Sequence, residues 1–190
     1  HQATALALPF EGTWYVAWGG PDIERNYHAK AKDQRFALDL LQVRGGRTFS
    51  GDGRQLTDYY AYGQPVLATA AGVIAAVGDG VEDNAVGAMN PKQAFGNFVV
   101  IDHENGEFSM YAHLQPGSLQ VAPGDRVTPG QRLGLCGNSG NTSEPHIHYH
   151  LQTTPERFKG EGLPAVFSRA VVDGVEASEV QLRGGQFVSP

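Results

Sequence analysis

The chain has 190 residues, enough for one well-buried domain and short for two. Its 41% hydrophobic and 18% charged content excludes a disordered segment. A net charge of −6 with no clustered basic face argues against a nucleic-acid partner, and no run reaches the ~20 apolar residues of a membrane helix.

The start, HQATALALPFEGTW, has no basic segment followed by a long apolar core. The chain therefore reads as one that is not exported or as a mature form after signal removal, and the second is preferred on functional grounds. In NYHAKAKDQRFALDLLQV, His28 is followed by Asp39, a carboxylate that interrupts the apolar run FALDL. Aspartate is disfavoured in strands and costly to bury unpaired. Either a cation or metal compensates Asp39, or it sits at a turn or edge facing water. A long loop is expected over 44–60, overlapping TDYYAYG with Tyr59, Tyr60 and Tyr62. Those tyrosines suit the exposed surface of a carbohydrate- or wall-binding module, or more simply groove lining and loop packing.

From 64 to 135 the pattern is strand after strand. QPVLATAAGVIAAVGDG holds two apolar runs bounded by glycine, and a second long loop follows over 80–96. GNFVVIDHENGEFSMYAHL is a hairpin signal around an Asn-Gly turn. At its end His113 precedes a Pro-Gly turn, where a strand end can present a side chain to a cleft, or leave an ordinary histidine at a loop edge. GDRVTPGQRLGLCGNSG supplies a further short strand, and its Cys136, the single cysteine, allows no intrachain disulfide. That leaves the compartment open. SEPHIHYHLQ places His146, His148 and His150 at every second position. On a strand all three would leave one face, each about 6–7 Å from the next. The best helix candidate is a short turn near PERF, and the tail 161–190 reads as an appended β-hairpin that packs on the domain. No repeat or linker divides the rest, so the expectation is one antiparallel all-β domain over 1–160.

Of the seven histidines (His1, His28, His103, His113, His146, His148 and His150), groups matter more than individuals. A catalytic zinc site commonly has three ligands of histidine or carboxylate type and an open position. His28, Asp39 and one member of the row would fill that requirement, leaving other histidines to act on water or substrate.

At this point the residues resemble a known family. GNFVVIDHENGEFSMYAHLQPGSLQVAPGDRVTPGQRLGLCGNSGNTSEPHIHYHL is similar to the catalytic core of lysostaphin-type, LytM-like zinc metallopeptidases, endopeptidases of bacterial cell walls. The ordered motifs are Gly-Asn before a strand, Tyr-Ala-His-Leu, Gly-Asn-Ser-Gly and Pro-His-x-His, and the likeness covers most of residues 25–152. The resemblance implies a compact antiparallel β-sheet, sandwich-like fold with a groove between loops. It makes His28, Asp39 and His148 the ligands of one Zn2+ per chain, and His113 and His146 the catalytic histidines. Asn97 and Tyr111, within these motifs, are expected at the substrate, and His150, on the face of His148, is expected to orient a ligand or touch substrate. The implied activity is zinc-dependent hydrolysis of peptide bonds in peptidoglycan cross-links or stem peptides, by a monomer outside the cytoplasm, extracellular or in the periplasm. The open alternatives are an inactive or regulatory wall-binding domain of the same fold, and a zinc peptidase with another peptide substrate. With no long pro-segment ahead of it, an open site is expected.

Two departures stand out. Ten residues separate His28 from Asp39, where the family has three. The insertion AKAKDQRF carries Asp33 as a rival ligand, set aside because it sits among charges in what should be an exposed loop. The other departure is His150, where relatives often have an acidic residue.

Overall fold

Short runs of valine, leucine, isoleucine and aromatic residues become strands, and the glycines that punctuate them become turns. The computed structural model describes residues 2–190; His1 lies outside them. In chain order the strands are β1 (Trp14–Trp18), β2 (Leu38–Leu41), β3 (Pro65–Leu67), β4 (Gly72–Gly78), β5 (Asn97–Asp102), β6 (Phe108–Leu114) and β7 (Arg126–Val127). They continue with β8 (Arg132–Leu135), β9 (Ile147–Gln152), β10 (Gly162–Leu163), β11 (Val166–Val172), β12 (Val175–Gln181) and β13 (Phe187–Ser189). Among the described residues there is no α-helix, only 3₁₀ turns at Tyr27–Lys30, Leu56–Asp58 and Pro91–Gln93. The PERF segment forms bends and a turn without a helical element.

One large antiparallel sheet runs in the order β12-β11-β13-β1-β2-β9-β6-β5-β4-β7, with β10 also paired to β9. β3 and β8 form a separate pair. GDRVTPGQRLGLCGNSG, read as one short strand, therefore divides into β7 and β8 on different sheets, split by the turn at Gly130. The tail extends the main sheet: β11 and β12 are a hairpin, while β13 pairs with β1 and β10 with β9.

Period-two alternation sorts the central strands into two faces. Leu38, Leu40, Val99, Ile101, Tyr111, Ile147, Tyr149 and Leu151 fill the main core, together with Val66 and Leu133 from the small pair. The opposite face carries Asp39 on β2 and His148 and His150 on β9, flanked by Phe98, Val100, Met110 and Ala112.

Strict alternation would send His113 into the main core beside Tyr111. Instead Asn97 pairs with Leu114 and Val99 with Tyr111, so one residue of β5 faces two of β6. The extra residue is accommodated at His113, whose φ is +63°. This bulge turns the imidazole onto the face that carries Asp39 and His148. Ser139 braces it: its carbonyl accepts from His113 Nδ1 at 2.8 Å, and its hydroxyl donates to the Leu114 carbonyl at 2.7 Å. Gly96, at φ +58°, lets the Ser139 backbone approach so closely that a Cβ would collide with it. Gly96→Ala should cost at least about 1–3 kcal/mol through backbone strain alone. Urea unfolding should read that loss as a lower midpoint with an unchanged slope.

Candidate metal centre and cleft

His28 sits on the 3₁₀ turn Tyr27–Lys30, which Asn26 caps by accepting from the His28 N–H at 3.2 Å. The Asn26 amide also donates to Gly20 O and Ala37 O, so one fully buried side chain closes both ends of the long connection from His28 to Asp39. Asp39 follows on β2, between Leu38 and Leu40 in the core, and lies opposite His148 in the β2–β9 register. Its carboxylate is 5% exposed.

The three groups converge. His28 Nε2 lies 3.0 Å from Asp39 Oδ2, and His148 Nδ1 lies 2.9 Å from Asp39 Oδ1. One donor atom from each falls within 4.8 Å of the others. Two imidazoles and a carboxylate, buried together, are a donor set that suits zinc. Burial alone would raise the Asp39 carboxyl pKa, but the charges of His28 and His146 and the bonds from His146 and His148 hold it well below the usual range.

His113 and His146 stand beside the centre, with ring centroids 4.8 Å apart. The Nδ1 of His113 faces the Ser139 carbonyl, and that of His146 faces the Glu144 carbonyl at 3.0 Å and the Thr142 hydroxyl. A carbonyl only accepts, so the neutral form of each ring carries its proton on Nδ1 and leaves Nε2 bare. His146 Nε2 lies 3.6 Å from Asp39 Oδ1. Burial holds His113 well below the ordinary imidazole pKa, reinforced by the neighbouring His146 and His148. For His146 burial pulls the same way, but the Asp39 carboxylate overrides it and raises the pKa. Occupation of the centre by a cation would cancel that upward pull.

Two cavities meet here. One is lined by His28, His113, His148, Ala94, Phe95 and Phe158, the other by Asp39, His146, Glu144, Leu41, Trp18 and Met89, and Tyr27 and Asn141 border both. Tyr27 was not singled out from the sequence. Its ring lies 3.9 Å from that of His28, and its hydroxyl donates to Asp39 Oδ2 at 3.1 Å. Burial and the Asp39 charge raise its pKa, so it stays a donor. Its position next to His28 was the available signal. Phe158, also missed, has φ +62° and packs on Phe95 with ring centroids 4.9 Å apart.

Several expectations need correction. Asn97 is fully buried; its amide oxygen accepts from Val81 N–H, and its NH2 donates to Val81 O and Leu114 O. It ties the loop after β4 to the end of β6 and is not offered to a substrate. Tyr111 is fully buried on the opposite face, with its hydroxyl bonded to Thr69. His150 is 1% exposed and lies behind His148, too deep to touch substrate. Asp33 is buried rather than exposed, and it is absent from the convergent group. Its loop is pinned by Gly162 N–H to Lys32 O and by the Lys32–Glu161 ion pair at 3.0 Å. The tyrosines form no open aromatic surface: Tyr59 is buried, Tyr60 lies under Arg44 and Tyr62 bonds Asp83.

Comparison with known proteins bears on this geometry. Residues 55–160 match the family model described as peptidase family M23, a span that holds His113, His146 and His148 but not His28 or Asp39. A 56-residue stretch is 46% identical to the peptidoglycan DD-endopeptidase ShyA of Vibrio cholerae, covering 30% of this chain and 13% of that protein. The chain thus spans a small part of the length of such relatives. Among solved structures, the deep-sea M23 metalloprotease pseudoalterin superposes with a TM-score of 0.52 at 20% identity, over 94% of this chain and 86% of that one. A chain of the SpoIIQ–SpoIIIAH pore-forming complex superposes with a TM-score of 0.53 at 16% identity, over 84% and 87%. Both likenesses bear on the fold.

The two aspartates of the long connection can be told apart by metal content. Asp39→Ala should abolish zinc retention after dialysis, measured by atomic emission, whereas Asp33→Ala should keep about one zinc per chain. Equal loss from both variants would overturn the choice of Asp39.

Proposed function

The chain belongs to peptidase family M23, and on that premise we propose that it is a zinc-dependent metalloendopeptidase that hydrolyses peptide bonds of bacterial peptidoglycan, in cross-links or stem peptides. The observation that carries this reading is the convergence of His28, Asp39 and His148 donor atoms beside two histidines whose Nδ1 atoms face backbone carbonyls and leave Nε2 to the cleft. The peptidoglycan endopeptidase named among the relatives supports the substrate class. A site of action in the cell envelope or outside the cell follows from that substrate. No helix is long and apolar enough to cross a membrane.

His28, Asp39 and His148 would hold the ion. Bound there, zinc supplies Lewis acidity that polarises a scissile carbonyl and acidifies water. The chain's own groups do the rest. Tyr27 and the β2–β9 register keep the Asp39 carboxylate aimed at the centre. The carbonyls of Ser139 and Glu144 fix the rings of His113 and His146 so that Nε2 of each can accept a proton. Between them these two histidines take the proton of the attacking water, and the ring that then carries it on Nε2 donates to the developing oxyanion and passes the proton to the leaving amine. The cavities on either side of Tyr27 leave room for chain on both sides of the scissile bond.

Zinc analysis of the purified protein, paired with mass spectrometry of digested peptidoglycan, tests the reading. The expected result is about one zinc per chain and new amine and carboxyl termini at one kind of peptide bond. His113→Ala and His146→Ala should each keep zinc and lose about 10²–10⁴-fold in turnover. Full activity in the His146→Ala protein would sink the assignment. Zinc without new wall termini would favour an inactive wall-binding domain or another peptide substrate.

A further inference from the structure

The role of His150 is open once it is too deep to reach substrate. We propose that His150 and Gln152 are positioning residues: with the carbonyls of Thr154 and Glu156 they form a one-way hydrogen-bond chain that keeps Nδ1 of His148 bare and aimed at the metal centre. The inference rests on the reading of His148 as a metal ligand.

The direction of the chain follows from its far end. After β9 the backbone folds back, and the Gln152 NH2 donates to Thr154 O at 2.6 Å and to Glu156 O at 3.0 Å. Carbonyls only accept, so the amide orientation is fixed and Oε1 of Gln152 faces His150. His150 Nε2 lies 3.2 Å from that oxygen and must carry the proton. His150 Nδ1 is then bare and lies 3.0 Å from His148 Nε2, which must donate to it. A neutral His148 with its proton on Nε2 has a free lone pair on Nδ1, the atom 2.9 Å from Asp39 Oδ1.

A competing pull makes the chain necessary. Asp39 is an acceptor and would reward a proton on His148 Nδ1, the tautomer that blocks ligation; a bare Nδ1 sets its lone pair against Asp39 Oδ1 until a cation lies between them. Reversing the chain to allow it sets acceptor against acceptor, either between His148 and His150 or, if every ring and the amide turn over, between Gln152 Oε1 and two backbone carbonyls. His150 and Gln152 are 1% and 0% exposed, so no water can relieve that conflict. His150 cannot itself join the ion, because it contacts His148 on the side away from Asp39. An imidazole at 150 can accept at one nitrogen and donate at the other, so it transmits orientation without adding charge. A carboxylate there would accept equally well but would bring a negative charge against the ligand.

The test is nitrogen-15 NMR of the histidine rings in metal-free protein, with zinc affinity from chelator competition. At pH about 8, above the ordinary imidazole pKa of about 6.5, wild-type His148 and His150 should both carry their proton on Nε2. A His148 proton on Nδ1 in the zinc-binding wild-type protein would overturn this inference alone. Failure of the wild-type chain to bind zinc would instead overturn the peptidase reading, and with it the ligand role. His150→Phe should shift His148 toward the Nδ1–H form and weaken zinc binding about 10–100-fold. His150→Glu should restore the Nε2–H form and most of the affinity. If His150→Phe does not fold, Gln152→Leu breaks the same chain at its anchored end and should shift both readouts the same way. Wild-type tautomer and affinity in a folded chain-breaking variant would overturn the proposal.

Discussion

A carboxylate at the centre of a sheet, with its neighbours Leu38 and Leu40 in the core, is the constraint to which the rest of this molecule answers. The partners of Asp39 within bonding reach, among the described residues, are three imidazoles and one phenol. An anion so enclosed is tolerable only if positive charge or strong donors meet it. Imidazoles supply donors without committing the site to a permanent charge, and they leave the carboxylate free to exchange them for a cation. The β2–β9 register, the capped turn under His28 and the Tyr27 hydroxyl keep those partners in place.

That constraint was legible in the sequence because aspartate inside FALDL contradicts its surroundings. The row of histidines was legible for a related reason: period two put His148 and His150 on one face, and the antiparallel pairing of β9 with β2 put Asp39 opposite His148. Asn97 and Tyr111 were misjudged because a motif records which residues recur, not which way they point. Tyr111 is one position before Ala112, and that single step places it in the main core. The side of the sheet on which His113 emerges was not legible at all. It depends on a left-handed residue in β6, and nothing in MYAHL announces a bulge. Asp33 was misjudged because a charged loop was assumed to be open, whereas the tail folds back over it.

The tail has a part in the site although it contributes none of the three convergent groups. β13 pairs with β1, β1 pairs with β2, and β2 carries Asp39. Gly162 and Glu161 hold the loop between His28 and Asp39 from outside. His28 and Asp39 thus both lean on residues beyond 160, and they also lie outside the span matched by the family model. The half of the geometry inside that span and the half outside it meet at Asp39 and His148.

The bulge at His113 also bears on how such sequences are told apart. Two chains could share every letter of the four motifs and differ only in the number of residues between Asn97 and Val99 on β5. A second residue there would face Ala112 and His113 two against two, restore ordinary pleating and swing the imidazole through the sheet to the side of Tyr111. The cleft would lose the His113 imidazole while the written motif stayed intact. For this architecture, counting positions along a strand discriminates a working cleft from a vestigial one at a point where residue identity is silent.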